Sequence, residues 1–343
     1  MYKLFIRPIL FLLYPEKVHH LVVKLTKISF KIPFVKPIVS LLYCKNGEKL
    51  AINVAGLNFK NPVGLAAGFD KDATFYKEFR AFGFGFIEIG TVTPKPQPGN
   101  PLPRSFRLTK DKALINRMGF NNMGVDAAVE RLKNRPKDFI IGGNIGKNTA
   151  TPNENAVEDY LYCFKKLYNY VDYFVVNVSC PNVSNLHKLQ DQDSLTAILQ
   201  TLNQERLQMS TRKPVFLKIA PDLNNYQIDE TLSIVQQQEL DGLVVTNTTV
   251  TRDNLLTDSE KIKEIGNGGL SGKPLRMRST EMIKYITQKT DGKLALVGVG
   301  GIFTAEDAKA KLDAGAHLVQ VYTGFIYEGP SIVKRILKVL LKN

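Results

Sequence analysis

Cysteine is scarce in these 343 residues: there are only Cys44, Cys163 and Cys180. An odd number at scattered spacing makes neither a disulfide framework nor a zinc site, so no metal is expected. The pattern suits a reducing compartment. Long apolar runs are also missing. The stretch from Leu4 to Leu13 is interrupted by Arg7 and Pro8, whereas about 20 apolar residues are needed to span a bilayer. No small-residue cleavage site follows it, and no Arg/Ser-rich transit segment precedes it, which points to a bacterial cytoplasm rather than an organelle. Low-complexity tracts are absent, so disorder is not expected.

Acidic residues are in deficit. Lys and Arg number 46 against 32 Asp and Glu, a net charge of +14. Residues 1–45 carry half of that excess, with eight basic side chains against the single acid Glu16. No RNA-recognition or helix-turn-helix signature accompanies this charge, so an anionic membrane surface is the expected partner rather than nucleic acid. The same segment reads as two short amphipathic helices. One covers about 2–13. The other starts near Pro15 and places Val18, Leu21, Val22, Leu25 and Ile28 at spacings of three and four, until Pro33 and Pro37 break the pattern. A helical pair over 1–45 followed by a main domain over 46–343 is the expected organisation.

What is abundant beyond Asn61 is alternation. Short β-branched runs begin at Pro62, Phe86, Phe139, Tyr173, Val215, Gly242, Leu294 and His317, and a helical pattern follows each. Eight such repeats with strands apolar throughout predict an α/β fold of the closed (β/α)8 barrel type, a TIM barrel. Residues 48–60 read as a hairpin closing its N-terminal end. Two stretches, 93–122 and 248–273, read as long loops with little structure, and such loops are usually functional.

Active residues of a barrel gather at the C-terminal ends of its strands. Lys71, Thr91, Asn144, Asn177, Lys218, Thr246 and Asn247 fall there. Buried Lys and Asn need partners, so this clustering predicts a polar cup. Glycine-rich turns at 268–272, 298–301 and 322–324 predict a phosphate site against Gly301 and Thr323. A cationic Lys218 near the reactive end of a phosphate-bearing ligand suits a flavin mononucleotide, FMN. These features alone do not separate it from a phosphosugar.

The strings Gly64-Leu-Ala-Ala-Gly-Phe-Asp-Lys71, Gly90-Thr-Val-Thr-Pro-Lys-Pro-Gln-Pro-Gly-Asn100 and Asn116-Arg-Met-Gly-Phe-Asn-Asn122 resemble those of dihydroorotate dehydrogenases. So do Asn177-Val-Ser-Cys-Pro-Asn182, Lys218-Ile-Ala-Pro-Asp222, Thr246-Asn-Thr-Thr249 and Gly268-Gly-Leu-Ser-Gly272. The helical pair, with Tyr14-Pro-Glu16 and His19, is similar to the extension of the quinone-dependent class. The resemblance implies FMN as hydride acceptor, held by Ala67, Gly68, Thr91, Asn144, Asn177, Lys218, Thr246, Gly272, Gly301, Tyr322 and Thr323. It implies dihydroorotate as substrate, with Lys71 opposite its carboxylate. Asn116, Met118, Gly119, Phe120, Asn121, Asn177, Asn182, Asn247 and Thr248 would enclose that substrate. Arg107 and Tyr322 would face a quinone tunnel with His19 at its entrance, and the protein would sit peripherally on the cytoplasmic face of the cell membrane as a monomer or dimer.

Cys180 matches the catalytic base and departs from the quinone class, which carries serine there. Cysteine is the habit of the soluble, fumarate-reducing class, so that class is the alternative, followed by another FMN barrel acting on a pyrimidine. Iron–sulfur cysteine clusters and an RNA-binding appendage, which would favour the latter, are absent. A non-catalytic barrel would not need the whole polar constellation.

Overall fold

In the computed structural model, which describes residues 2–45, 47–178 and 192–342, the period of two within each apolar run decides which side chains face inward. The hairpin β1 (Ile52–Val54) and β2 (Leu57–Phe59) comes first, then β3 (Val63–Asp70) and β4 (Phe86–Val92). Next are β5 (Ser105–Leu108), β6 (Ala113–Asn116), β7 (Ile140–Ile145), β8 (Tyr173–Asn177) and β9 (Val215–Ile219). The last are β10 (Gly242–Val245), β11 (Gly269–Gly272), β12 (Ala295–Val299) and β13 (Leu318–Val321). Eight of them close a barrel in the order β3-β4-β7-β8-β9-β10-β12-β13, every neighbour parallel. Helices follow the barrel strands, and the expected (β/α)8 architecture is the observed one.

Alternate residues split between two cores. Phe86, Tyr173, Val175, Phe216, Val244, Val297 and Leu318 fill the barrel interior. Their neighbours Ile87, Phe174, Val176, Leu217, Leu243, Leu296 and Val319 pack outward on the helices. The hairpin plugs the lower end, as expected. Val54 and Phe59 join the interior cluster, and the Phe59 ring meets Phe86 edge-on at 5.1 Å.

The two long loops are more ordered than their sequence pattern indicates. β5 and β6 lie in the first and β11 in the second, and the three form an antiparallel sheet in the order β11-β6-β5. Each has four residues, too few for alternation to register, and β11 pairs with a strand more than 150 residues earlier. Leu108, Ala113, Ile115, Ile265 and Leu270 form a small core of their own beneath this sheet.

The N-terminal segment differs from the expected pair. A π-helical turn (Tyr2–Ile6) leads into α1 (Arg7–Phe11), then α2 (Pro15–Ser29) and a third helix, α3 (Val35–Tyr43). Pro37 does not prevent α3, because it occupies the first turn, where a backbone N–H has no intrahelical acceptor. The three helices contain no fully buried residue. Among the described residues, no helix is long and apolar enough to cross a membrane.

Candidate active site

A cleft enclosing about 1010 Å³, part of it open to solvent, occupies the C-terminal mouth of the barrel. The inward register delivers its floor. On β4, Phe86 and Glu88 share the inner face. On β7 it is Asn144, on β8 Tyr173, Val175 and Asn177, on β9 Phe216 and Lys218, and on β13 Leu318 and Gln320. The lower of these side chains are apolar and the upper ones polar, so the core grades into a polar cup.

The cup's amides satisfy one another. Thr91 Oγ1 donates to Asn144 Oδ1 at 2.6 Å, and Asn177 Nδ2 donates to Thr91 Oγ1 at 3.0 Å. Asn247 Nδ2 donates to Asn177 Oδ1 at 3.2 Å, and Asn247 Oδ1 accepts the Thr248 backbone N–H at 2.9 Å. Beneath them lies Glu88, fully buried. Its two oxygens accept Asn144 Nδ2 and Gln320 Nε2, each at 2.7 Å. A carboxylate only accepts, so Glu88 fixes which way both amides point. Glu88 and Gln320 escaped the sequence reading. The available signal was a single acid in Phe86-Ile-Glu-Ile89 and a single amide in Leu318-Val-Gln-Val321.

Ala67, Gly68, Thr91, Asn177, Lys218 and Thr246 line the cleft, as do Gly272, Gly301, Tyr322 and Thr323. Asn144 does not touch it but holds Thr91 and Asn177, which do. Of the expected substrate residues, Lys71, Asn116, Met118, Gly119, Phe120, Asn247 and Thr248 line it. Asn121 does not. Its Oδ1 is buried without a hydrogen-bond partner among the described residues. Cys180 and Asn182 lie outside the described residues. Ser271 also lines the cleft, its hydroxyl 2.8 Å from that of Thr323, and was not foreseen.

Lys71 follows Asp70, which anchors the turn by accepting the backbone N–H groups of Thr74 at 2.7 Å and Phe75 at 3.0 Å. Burial pulls the Lys71 ammonium down to about 8, while Glu16 opposes that shift. The ammonium is therefore mostly charged at neutral pH and faces the cleft.

The residues expected at a quinone tunnel divide. Tyr322 lines the cleft and its ring packs on Phe69 at 5.3 Å. On the other side, His19 of α2 meets Phe69 at 5.1 Å and Phe75 at 5.7 Å. Burial, reinforced by Lys71 and His20, lowers His19 to about 3, so it is a neutral ring at physiological pH. Phe69 thus separates the cleft from the helical segment. Arg107 lies elsewhere, at the end of α1. Its guanidinium sits 4.5 Å from the Phe11 ring centroid, and Nη1 donates to Leu13 O at 2.6 Å.

A phosphate-bearing flavin can be tested against this cleft on two observations. Gly301 lines the cleft with φ +71°, and because a Cβ there would approach Arg276 Cα to 2.5 Å, only a residue without a side chain fits, so the wall at this point is backbone. Gln320, committed to Glu88 through its amide nitrogen, leaves its carbonyl oxygen buried with no hydrogen-bond partner among the described residues. Bare backbone suits a phosphate, and a buried acceptor suits a ring N–H.

The family model for dihydroorotate dehydrogenase matches residues 49–343. The chain is 54% identical over 343 residues to the dihydroorotate dehydrogenase (quinone) of Christiangramia forsetii, covering 100% of this chain and 99% of that protein. It is 44% identical over 334 residues to the protein of the same name from Acinetobacter baylyi, covering 96% of each. Among solved structures, DHODH from Eimeria tenella in complex with ferulenol superposes with a TM-score of 0.86 at 38% identity, over 96% of this chain and 91% of that one. Barrel, polar cup and likeness along the whole chain agree: the chain belongs to the dihydroorotate dehydrogenase family.

Proposed function

We propose that this chain oxidises (S)-dihydroorotate to orotate in pyrimidine biosynthesis, with FMN as the first electron acceptor and a membrane quinone as the last. The observation that carries this reading is the cup itself. The Lys71 ammonium and the side chains of Asn116, Asn177, Asn247 and Thr248 line the same cleft as Lys218, Gly272, Gly301 and Thr323. A small planar carboxylate with ring N–H and C=O groups needs such a set, because each group loses water on burial.

In that reading Lys71 holds the substrate carboxylate, and the asparagines pair with the ring amides. FMN, when bound against Thr91, Lys218, Gly272, Gly301 and Thr323, with Asn144 holding Thr91 and Asn177 from behind, supplies the site that accepts a hydride. Lys218 places positive charge where the ring gains negative charge. Cys180 is the proposed base, on the strength of its position in Asn177-Val-Ser-Cys-Pro-Asn182. It takes the proton from C5 as the hydride leaves C6, so a C5=C6 double bond forms. A thiol with a reference pKa of about 8.5 is a better base near neutral pH than a hydroxyl. Residues 1–45 are the proposed quinone and membrane segment, with His19 and Tyr322 at the quinone site on either side of Phe69 and Arg107 further along it, beside Phe11 and Leu13. Their basic and apolar side chains suit peripheral attachment to the cytoplasmic face of the membrane.

Cys180 favours one second reading, reoxidation by fumarate as in the soluble class. Anaerobic titration separates the two. Dihydroorotate should bleach the yellow protein, and a ubiquinone analogue should restore the colour where fumarate does not. Restoration by fumarate alone would establish the second reading. A yellow protein that dihydroorotate does not bleach would remove both.

A further inference from the structure

We infer that the Glu16–Arg104 ion pair is a positioning strut, through which helix α2 of the N-terminal segment sets the substrate wall of the cup. The inference rests on the dihydroorotate reading above for its kinetic test, and on geometry for its basis. Glu16 stands in the first turn of α2. Arg104 lies just before β5, in the long loop after β4. Arg104 Nε donates to both Glu16 oxygens, at 3.2 and 3.1 Å, and Nη2 donates to Oε1 at 2.7 Å. Arg104 is only 11% exposed and Glu16 17%. A forked contact this enclosed is not an ordinary surface pair, whose worth is near zero.

The other edge of the guanidinium faces the loop. Arg104 Nη1 donates to Pro98 O at 2.6 Å and Asn100 O at 3.0 Å. Gly99, between them, has φ +74°, and a Cβ there would lie 2.2 Å from Met118 O and 2.9 Å from Arg104 Nη1. The chain is therefore wrapped tightly around the cation. Asn100 then passes the position on: its backbone N–H donates to Met118 O at 3.1 Å and its Nδ2 to Arg117 O at 2.9 Å. Gln97 Nε2 donates to the carbonyls of Gly119 and Phe120 at 3.0 and 3.1 Å. Met118, Gly119 and Phe120 are wall residues of the cleft. A continuous set of hydrogen bonds thus runs from α2 through Arg104 to the surface that meets substrate. Without Glu16, the cation loses its forked partner, and the loop wound on it loses its anchor.

The same pair also bears on Lys71. Burial lowers that ammonium, Glu16 and Asp72 push it back up, and Arg104 pushes it down. Two further titratable groups of α2 lie nearby: His19, which is neutral through the accessible range, and His20, which faces Glu16 and His19 and is present in parent and variants alike. Removing either partner should loosen the wall, but the two removals should move the Lys71 titration in opposite directions. A merely structural pair would not do this.

The test uses the full-length holoprotein with Glu16→Gln, Arg104→Gln, the double variant and the milder Arg104→Lys, which keeps the charge but not the fork. Anaerobic bleaching by dihydroorotate is followed against pH, and backbone hydrogen exchange is read at residues 97–104 and 117–120. Each Gln variant should raise the half-saturating dihydroorotate concentration about 10- to 100-fold. The double variant should do little more than either single, as expected of coupled residues. The alkaline loss of affinity should move to lower pH in Glu16→Gln and to higher pH in Arg104→Gln. Exchange should rise in both segments in every variant, Arg104→Lys included. Affinity within twofold of the parent, or unchanged exchange, overturns the strut. A parent protein that dihydroorotate fails to bleach sinks the dihydroorotate reading, and the exchange measurement then decides the strut alone.

Discussion

The cup and the N-terminal helices are built on opposite principles. In the cup, polar side chains are buried and satisfy one another, down to Glu88 with an amide on each oxygen. In the helices, apolar side chains stand in the open: Leu12 is 85% exposed and Leu41 82%. The helices hold to the barrel through ring contacts, Phe11 on Tyr327 at 5.2 Å, His19 on Phe69 at 5.1 Å and Tyr43 on Phe82 at 5.7 Å, and through a few polar points. Tyr2 donates to Ile326 O at 2.6 Å, Lys334 donates to Leu42 O at 2.6 Å, and Glu16 pairs with Arg104. The difference teaches where each part meets its environment. The cup replaces water with fixed dipoles, and the helices leave apolar surface exposed, which suits the membrane attachment proposed for them.

If the cup depends on internal satisfaction, the largest loss should come from its deepest charge. Glu88→Leu leaves Asn144 Nδ2 and Gln320 Nε2 without acceptors, at a cost of about 3 kcal/mol. Urea unfolding should show that loss, and visible absorbance should show reduced flavin. An unchanged midpoint would mean the network is not what holds the cup. Next comes Cys180→Ser. The weaker base should cut the bleaching rate about tenfold or more and move the pH optimum upward. An unmoved pH profile would assign the base elsewhere.

The smallest effect tests burial without function. Lys311 is fully buried behind the cleft, donating to Ser279 Oγ at 2.9 Å and Thr280 Oγ1 at 3.1 Å. Burial lowers it from 10.5 to about 7. Its folded value lies below its unfolded one. The stability it contributes is therefore complete above 10.5 and is lost as pH falls through about 7. Lys311→Met should flatten that dependence and stabilise the protein by about 1 kcal/mol at neutral pH. Unfolding free energies that still rise between those limits in the variant would locate the effect in another group.

How much of this was legible beforehand follows from the same contrast. The barrel was readable because a period of two and a repeat of strand and helix are local signals, and the polar strand ends stood out against apolar runs. Glu88 was missed because it sits in mid-strand, where one acid looks like an interruption. The sheet of β5, β6 and β11 was missed because pairing across more than 150 residues leaves no local trace. Helix α3 was missed because Pro37 reads as a breaker, and only its place in a first turn makes it harmless. Arg104 carried no signal at all, since its meaning lies in Glu16, 88 residues away.

The central claim is that substrate is handled by the cup and quinone by the helical side. The most direct measurement compares the two half-reactions by anaerobic stopped flow in the full chain and in a chain lacking residues 2–45. The account predicts that the shortened protein stays yellow and still bleaches with dihydroorotate, more slowly for want of Glu16, while reoxidation by a ubiquinone analogue is lost. Quinone reoxidation at the full-length rate in the shortened protein would contradict it.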